Sequence, residues 1–390
     1  MSFDFINHKE TENLVPIKLE GKEQYYFDLM NIQHSWTGRI DAMFSNEFFR
    51  ESVQLIINAI TLFEKGYFDC AFYSLRQALE ISTTVVYFVD DSEENRKQEL
   101  RKWKKQEKFP MHSQMIAELN KRKYAFADIK DKMTLYFEEV EEAKQKLNKY
   151  VHKQGFDKFY VSRTNPFSKY NEHTNLTSDF EKFLIKSMGA VAVFRLAIDP
   201  FPLLLADESI YKRTGQLMTE GYSESFLEKY IGLDHIEAYK QTEVYKSHYH
   251  AIITQEEMLP SVLEVVKNDY VDTTRIEEIV AQKHLLSDHE LVAVGLISYS
   301  KKIAKVYCFG GLHWYFTDTQ TKRRKTGWSS ADFKVFKDGA AKYNVKYDEA
   351  FLSHLRILDE DYYIEHNEEF NTGEIEELDN EIPFRRWIQR

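Results

Sequence analysis

This chain has almost no cysteine. Cys70 and Cys308 are its only thiols in 390 residues, too few and too far apart for a disulfide framework or a cysteine zinc site. Glycine (14) and proline (7) are also scarce, which leaves Lys, Glu, Leu and Ala to favour helix. No apolar run is long enough to span a bilayer. The most apolar stretch, 188 to 206, is broken by Arg195, Asp199, Pro200 and Pro202, so no membrane partner is expected. The opening MSFDFINHKE carries neither a basic nor an apolar targeting region and reads as cytoplasmic. A glycine-rich phosphate loop, G-x-S-x-G and H-E-x-x-H are all missing, which removes the commonest nucleotide-binding enzymes, serine hydrolases and zinc peptidases. No cofactor is expected.

What is abundant is aromatic side chain. With 28 Phe and 24 Tyr, a sizeable core can form, and 390 residues suit two or three domains. The net charge of −11 is unevenly spread. Residues 359 to 381 hold eleven Asp or Glu and no Lys or Arg, so the remainder balances at 63 − 11 = 52 acids against 52 bases. Residues 96 to 153 hold 16 Lys or Arg against 9 acids, a local surplus of 16 − 9 = 7. An acidic tail and a basic mid-section are therefore separate features.

Periodicity organises the chain. Asn46 is placed to cap a helix whose apolar stripe ends at Gly66, and a second stripe follows at once through Ala71, Leu75, Ala78 and Leu79, so the two form an antiparallel hairpin. Helices are expected over about 112–124 and 126–152, and from Ser178 or Asp179 to Pro200. DPFP at 199 to 202 marks the expected domain boundary. Shorter helices follow, Ser287 to Glu290 forms a capping box, and Gly310-Gly311 between two apolar runs signals a two-residue β-hairpin.

The sharpest question lies at KQKLNKYVHKQG, 144 to 155. On a helix Glu141, Gln145, Asn148 and His152 fall on one line, so His152 ends a polar face, either as a capping residue or as a catalytic group. A two-helix hairpin of the form LFEKGYFDCAFYSLRQALE, followed by a helix ending in a polar-x-x-x-His, resembles the HEPN superfamily over roughly residues 40 to 198. That family consists of helical domains common in prokaryotic toxin and defence systems. Many cleave RNA without metal, through an Arg and a His, across a dimer interface. The resemblance implies that His152 takes the histidine position, that Lys146 stands where the family has arginine, and that Asn148 is the polar residue between them. Lysine there is a departure, because it offers a point charge and not a planar fork. Arg76 either pairs with Glu80 one turn on or supplies the missing guanidinium.

Beyond the resemblance, His248 and His250 with Glu256 or Glu257 lack a telling metal spacing, and no metal is expected. The run Lys322, Arg323, Arg324, Lys325, near Trp314, Tyr315 and Trp328, is either an exposed hairpin-end loop or a site for single-stranded nucleic acid. The expected fold is mainly α: an N-terminal extension (1–39), a HEPN-like antiparallel helical bundle (40–198), an α-rich C-terminal domain (203–358) with a small β-hairpin near 305–317, and an acidic tail (359–390). Three functional readings stand open. One is an RNA-associated protein of defence type, dimeric through its bundle and able to act as a metal-independent ribonuclease. The others are a silent dimerisation scaffold and a ligand sensor in the C-terminal domain.

Overall fold

The computed structural model describes residues 4, 7, 16–107, 109–122, 124–159, 162, 167–169, 173–337, 339 and 341–380. It is mainly helical, with a small antiparallel sheet near the C-terminus, and it divides into two units. The first comprises Met1–Tyr211 with Leu217–Gln255, the second Lys212–Gln216 with Glu256–Arg390.

In the first unit α1 (Lys22–Gln33) precedes the hairpin α2 (Ser45–Glu64) and α3 (Phe68–Val89). Small side chains let these two helices approach closely: Ser52 meets Ser82 at 3.1 Å, and Ala59, Ala71 and Ala78 are fully buried. Then come α4 (Glu93–Lys104), α5 (His112–Arg122), α6 (Ala125–Lys132), α7 (Thr134–Val151) and α8 (His173–Leu196). α7 and α8 close a bundle on α3. Stacked rings fill it, Phe63 on Phe180 at 4.0 Å and Phe72 on Tyr150 at 4.3 Å. Asn46 is not the cap of α2. Its amide is buried and holds both backbone groups of Thr37.

Two expected boundaries give way for the same reason. Residues 22–33 are no appendage, because Leu29 and Ile32 enter the bundle core and buried Asp28 accepts from Tyr230 and Lys229. DPFP does not separate domains either. Asp199 is buried and accepts from Thr37, while α9 (Leu233–Tyr239) and α10 (Glu243–Ile253) add Ile236, Tyr239 and Tyr245 to the same core. Gly189 on α8 admits this layer, since a Cβ there would lie 2.0 Å from the Tyr230 carbonyl oxygen.

The second unit is not merely α-rich with a hairpin. α11 (Pro260–Asn268), α12 (Ile276–Ala281) and α13 (Asp288–Tyr299) lead into five strands: β1 (Ile303–Cys308), β2 (His313–Phe316), β3 (Val345–Tyr347), β4 (Ala350–Ile357) and β5 (Glu360–His366). Their order is β2-β1-β5-β4-β3, antiparallel throughout. Ser287 and Glu290 form the expected capping box on α13. The expected hairpin is β1–β2, but Cys308 pairs with His313, so four residues and not two make the connection. Side chains alternate across the sheet. Val306, Tyr315, Leu355 and Ile364 share a core with α13, while Tyr307, Leu352 and Tyr363 pack with Phe333 and Phe336 on the opposite face.

The acidic stretch is thereby corrected. Up to residue 380 it is no tail: it supplies β5, the central strand, and α14 (Thr372–Asn380). Its carboxylates are partners for bases elsewhere, Glu374 for Lys302 and Asp379 for Lys342. Residues 381–390, with Arg385, Arg386 and Arg390, lie outside the described residues.

Candidate functional site

α7 carries the residues singled out by the resemblance. It ends at Val151, with His152 as its C-cap: the His152 backbone N–H donates to the Asn148 carbonyl, and the imidazole is exposed. Lys153 follows with φ of 54°, the left-handed conformation that closes a helix, and its ammonium pairs with Asp69. Lys146 is exposed and bound to Glu142 at 2.6 Å, one turn back on its own helix. His152 stands six positions after Lys146, so they point about 120° apart around the axis. Lys146 lines a groove against α8, whereas Glu141 and Gln145, the residues in line with His152, border a different one. Asn148 is half-buried between these faces. Within one chain the helix does not bring the pair together.

Arg76 takes the bland role. Its guanidinium donates to Glu80 at 2.7 Å, with Lys144 and His112 close by. His248 and His250 stand on α10 and donate through Nδ1 to the carbonyls of Val244 and Lys246, four residues back. Glu256 accepts from His284 and Gln282. Among the described residues no group of three or more His, Cys, Asp or Glu is placed to hold a metal ion. His289 contacts the Tyr362 hydroxyl at 2.9 Å.

The run 322–325 is stitched into its own unit. Arg323 is buried: Nε faces Glu365 at 3.4 Å, one terminal nitrogen donates to the Gly327 carbonyl at 2.6 Å, and the guanidinium lies over Tyr347. Lys322 pairs with Glu368 and Arg324 with Glu349. Asp348 also accepts from the backbone N–H groups of Arg324 and Lys325. A cation matched by a carboxylate attracts a phosphate weakly, so this run is a poor nucleic-acid surface.

The basic mid-section is different. Residues 96–108 hold seven Lys or Arg against Glu99 and Glu107, so 7 − 2 = 5 of its surplus of 7 sits in thirteen residues. All but Lys108, which lies outside the described residues, fall on α4 and the turn after it. That helix buries no residue, is capped by Ser92, and carries Glu93 and Glu94 in its first turn and Arg101, Lys102 and Lys104 in its last. The first-turn acids and last-turn bases suit the helix dipole. Lys97 and Lys102 are neutralised by Glu93 and Glu99. Arg101, Lys104 and Lys105 have no ion pair among the described residues, and all three are exposed. Trp103 stands among them at 41% exposure, its inner edge held by Phe48 at 5.3 Å and Phe88 at 5.9 Å. Around the helix axis Arg101 and Lys105 point about 160° from Trp103 and Lys104 about 100°, so the exposed cations form a face next to the ring's own and not a ring around it. Sequence reading met the charge surplus but spread it over 58 residues, and so missed its focus at RKWKK.

A groove of about 820 Å³ lies between α5, α6 and α7. His112 and Lys144, which periodicity treated as ordinary helix positions, meet at its edge. The aromatics of the hairpin helices, which a dimer face would need at the surface, are mostly internal. Phe49, Phe72, Tyr87 and Phe88 are buried and Phe48 is half-buried, which leaves Tyr73 at 50% exposure.

Compared with protein-family models, curated proteins and solved structures, the chain matches none.

Proposed function

We propose that this protein binds single-stranded RNA through α4 and holds it without cutting it. The observation that carries the reading is the set Arg101, Lys104 and Lys105, three exposed cations without carboxylate partners among the described residues, on the helix that also presents the half-exposed indole of Trp103. Cations along a backbone supply affinity that does not depend on sequence, and an aromatic face adds base stacking of about 1–3 kcal/mol per base. The HEPN-like resemblance supports the same substrate class. Cleavage is left out of the proposal because it needs a base and a phosphate-holding cation in one place, within reach of the same substrate. In one chain His152 and Lys146 lie on separate faces of α7, and Lys146 is already bound to Glu142.

Incubating the purified chain with a labelled, unstructured RNA, with and without chelator, tests this. The expected result is a shifted band on a native gel and full-length RNA on a denaturing one. RNA shortened in a chelator-resistant way, and spared by His152→Ala, would replace the binding reading with the nuclease one. RNA neither bound nor cut would leave the helical unit as a scaffold.

A further inference from the structure

The groove between α5, α6 and α7 is lined by no residue of α4 among the described residues, and its chemistry is different. Leu79, Ile116, Phe126, Phe137, Val140 and Phe194 supply an apolar lining. Lys144, 8% exposed, supplies the one buried charge. Its ammonium donates to His112 Nδ1 at 2.5 Å. The Thr83 hydroxyl donates to the Leu79 carbonyl at 2.9 Å and so accepts from His112 Nε2 at 3.0 Å. Every donor in this relay points the same way, which fixes His112 as a neutral ring with its proton on Nε2. Burial, with Lys144 and Arg76 close by, holds its pKa down to about 3. A neutral imidazole does not compensate an ammonium.

Nor does a carboxylate. Glu80 is bound to Arg76 at 2.7 Å, and among the described residues no Asp or Glu lies within ion-pair distance of Lys144. Glu141, on the same helix, is exposed at the groove's rim. The cluster thus sets two cations, Arg76 and Lys144, against Glu80, which is bound to Arg76, and the more distant Glu141 at the rim, and two of the three Lys144 N–H donors lack an acceptor among the described residues. A buried charge of this kind is costly unless something pairs with it. Asp131, Glu138, Glu141 and Glu142 around the mouth, against Lys130, repel a multiply charged anion.

We propose that this groove binds a small monocarboxylate with an apolar body, its carboxylate paired with Lys144 and its body laid on Ile116, Phe126, Phe137 and Val140. A fatty acid or aryl-alkanoic acid has that chemistry, and the groove volume lies within the range of small-molecule sites. A nucleotide or phosphate ester does not, because of the acidic mouth.

Isothermal titration calorimetry on the full chain tests this with octanoate, 1-octanol and octyl phosphate as probes. Octanoate should bind at least about tenfold more tightly than the alcohol or the phosphate, since only it gains the ion pair and escapes double repulsion. Lys144→Met should reduce octanoate to the affinity of octanol. Ile116→Trp, which fills the groove at a half-exposed position, should abolish binding of both while circular dichroism is unchanged. Should Lys144→Met fail to fold, the wild-type ratios and Ile116→Trp still decide. Octanoate binding no tighter than octanol, tighter binding of octyl phosphate, or octanoate binding untouched by a folded Ile116→Trp would each overturn the proposal.

Discussion

At the scale of single residues, burial decides which ionisable groups matter. Asp90 sits in the core at the N-terminus of α6, accepts from Phe126 N–H, and is pushed up to about 6 by desolvation. His112 and His366 are pushed down, to about 3 and about 4, chiefly by burial. The signs differ. The unfolded chain protonates both histidines below their ordinary 6.5 while the folded chain does not. Their contribution to stability is complete above pH 6.5 and is lost as pH falls toward the folded values. Asp90 holds a proton that the unfolded chain releases above 3.8, so its contribution is present below pH 3.8 and lost as pH rises toward 6. Urea titrations at stepped pH should show His112→Asn flattening the loss of stability below pH 6.5. Asp90→Asn, which keeps an acceptor for Phe126 N–H, should remove the opposing slope between 3.8 and 6. Slopes equal to wild type in both variants would contradict the assignments. None of this was legible in the sequence: His112 and Asp90 carry no motif, and their partners Lys144 and Phe126 lie more than thirty residues away. His152 was legible as a helix end, and His152→Ala is expected to cost under about 1 kcal/mol of stability and to leave RNA binding unchanged.

At the scale of elements, periodicity revealed the helices and turn chemistry concealed the sheet. The stripes of α2 and α3 stand almost where spacing puts them, because an apolar face at 3.6 residues per turn has few other uses. β4 and β5 escaped for a physical reason. Ile357 pairs with Glu360, leaving a two-residue turn of Leu358 and Asp359 with φ of 51° and 64°. That geometry ordinarily selects Asn-Gly, and here no glycine announces it. The acids of β5 disguised the strand further, yet Glu365 lies buried beneath Tyr307, Thr321 and Arg323. Replacing Leu358 by Asn and Asp359 by Gly should relieve the left-handed strain and raise the stability of the second unit by about 1 kcal/mol, measured by thermal denaturation. No gain, or a loss, would mean that the turn is not held in this conformation. Truncation separates a tail from a strand more bluntly. A chain ending after Asn380 should keep its near-ultraviolet dichroism, whereas one ending after Leu358 loses the central strand and should aggregate. A well-folded chain ending at Leu358 would show that the acidic stretch is dispensable.

At the scale of the whole molecule, the basic mid-section was visible in the sequence as a surplus, but its function depends on which cations are already paired, and pairing is a tertiary property. The run 322–325 was the nucleic-acid candidate and has three of its four cations paired, while α4 pairs Arg96, Lys97 and Lys102 and leaves Arg101, Lys104 and Lys105 without an ion pair among the described residues. The proposed RNA association rests on Arg101, Lys104 and Lys105, and the most direct measurement is fluorescence anisotropy of a labelled single-stranded RNA across a salt series. Wild-type protein should bind at about 50 mM salt and weaken as salt rises, since bound counterions are released on association. The triple substitution Arg101→Gln, Lys104→Gln, Lys105→Gln removes three charges from a helix that buries nothing, so the fold should be kept. It should lower the slope of log affinity against log salt by about 2 and the affinity at low salt by more than about tenfold. Affinity and slope unchanged in a folded triple variant would contradict the account.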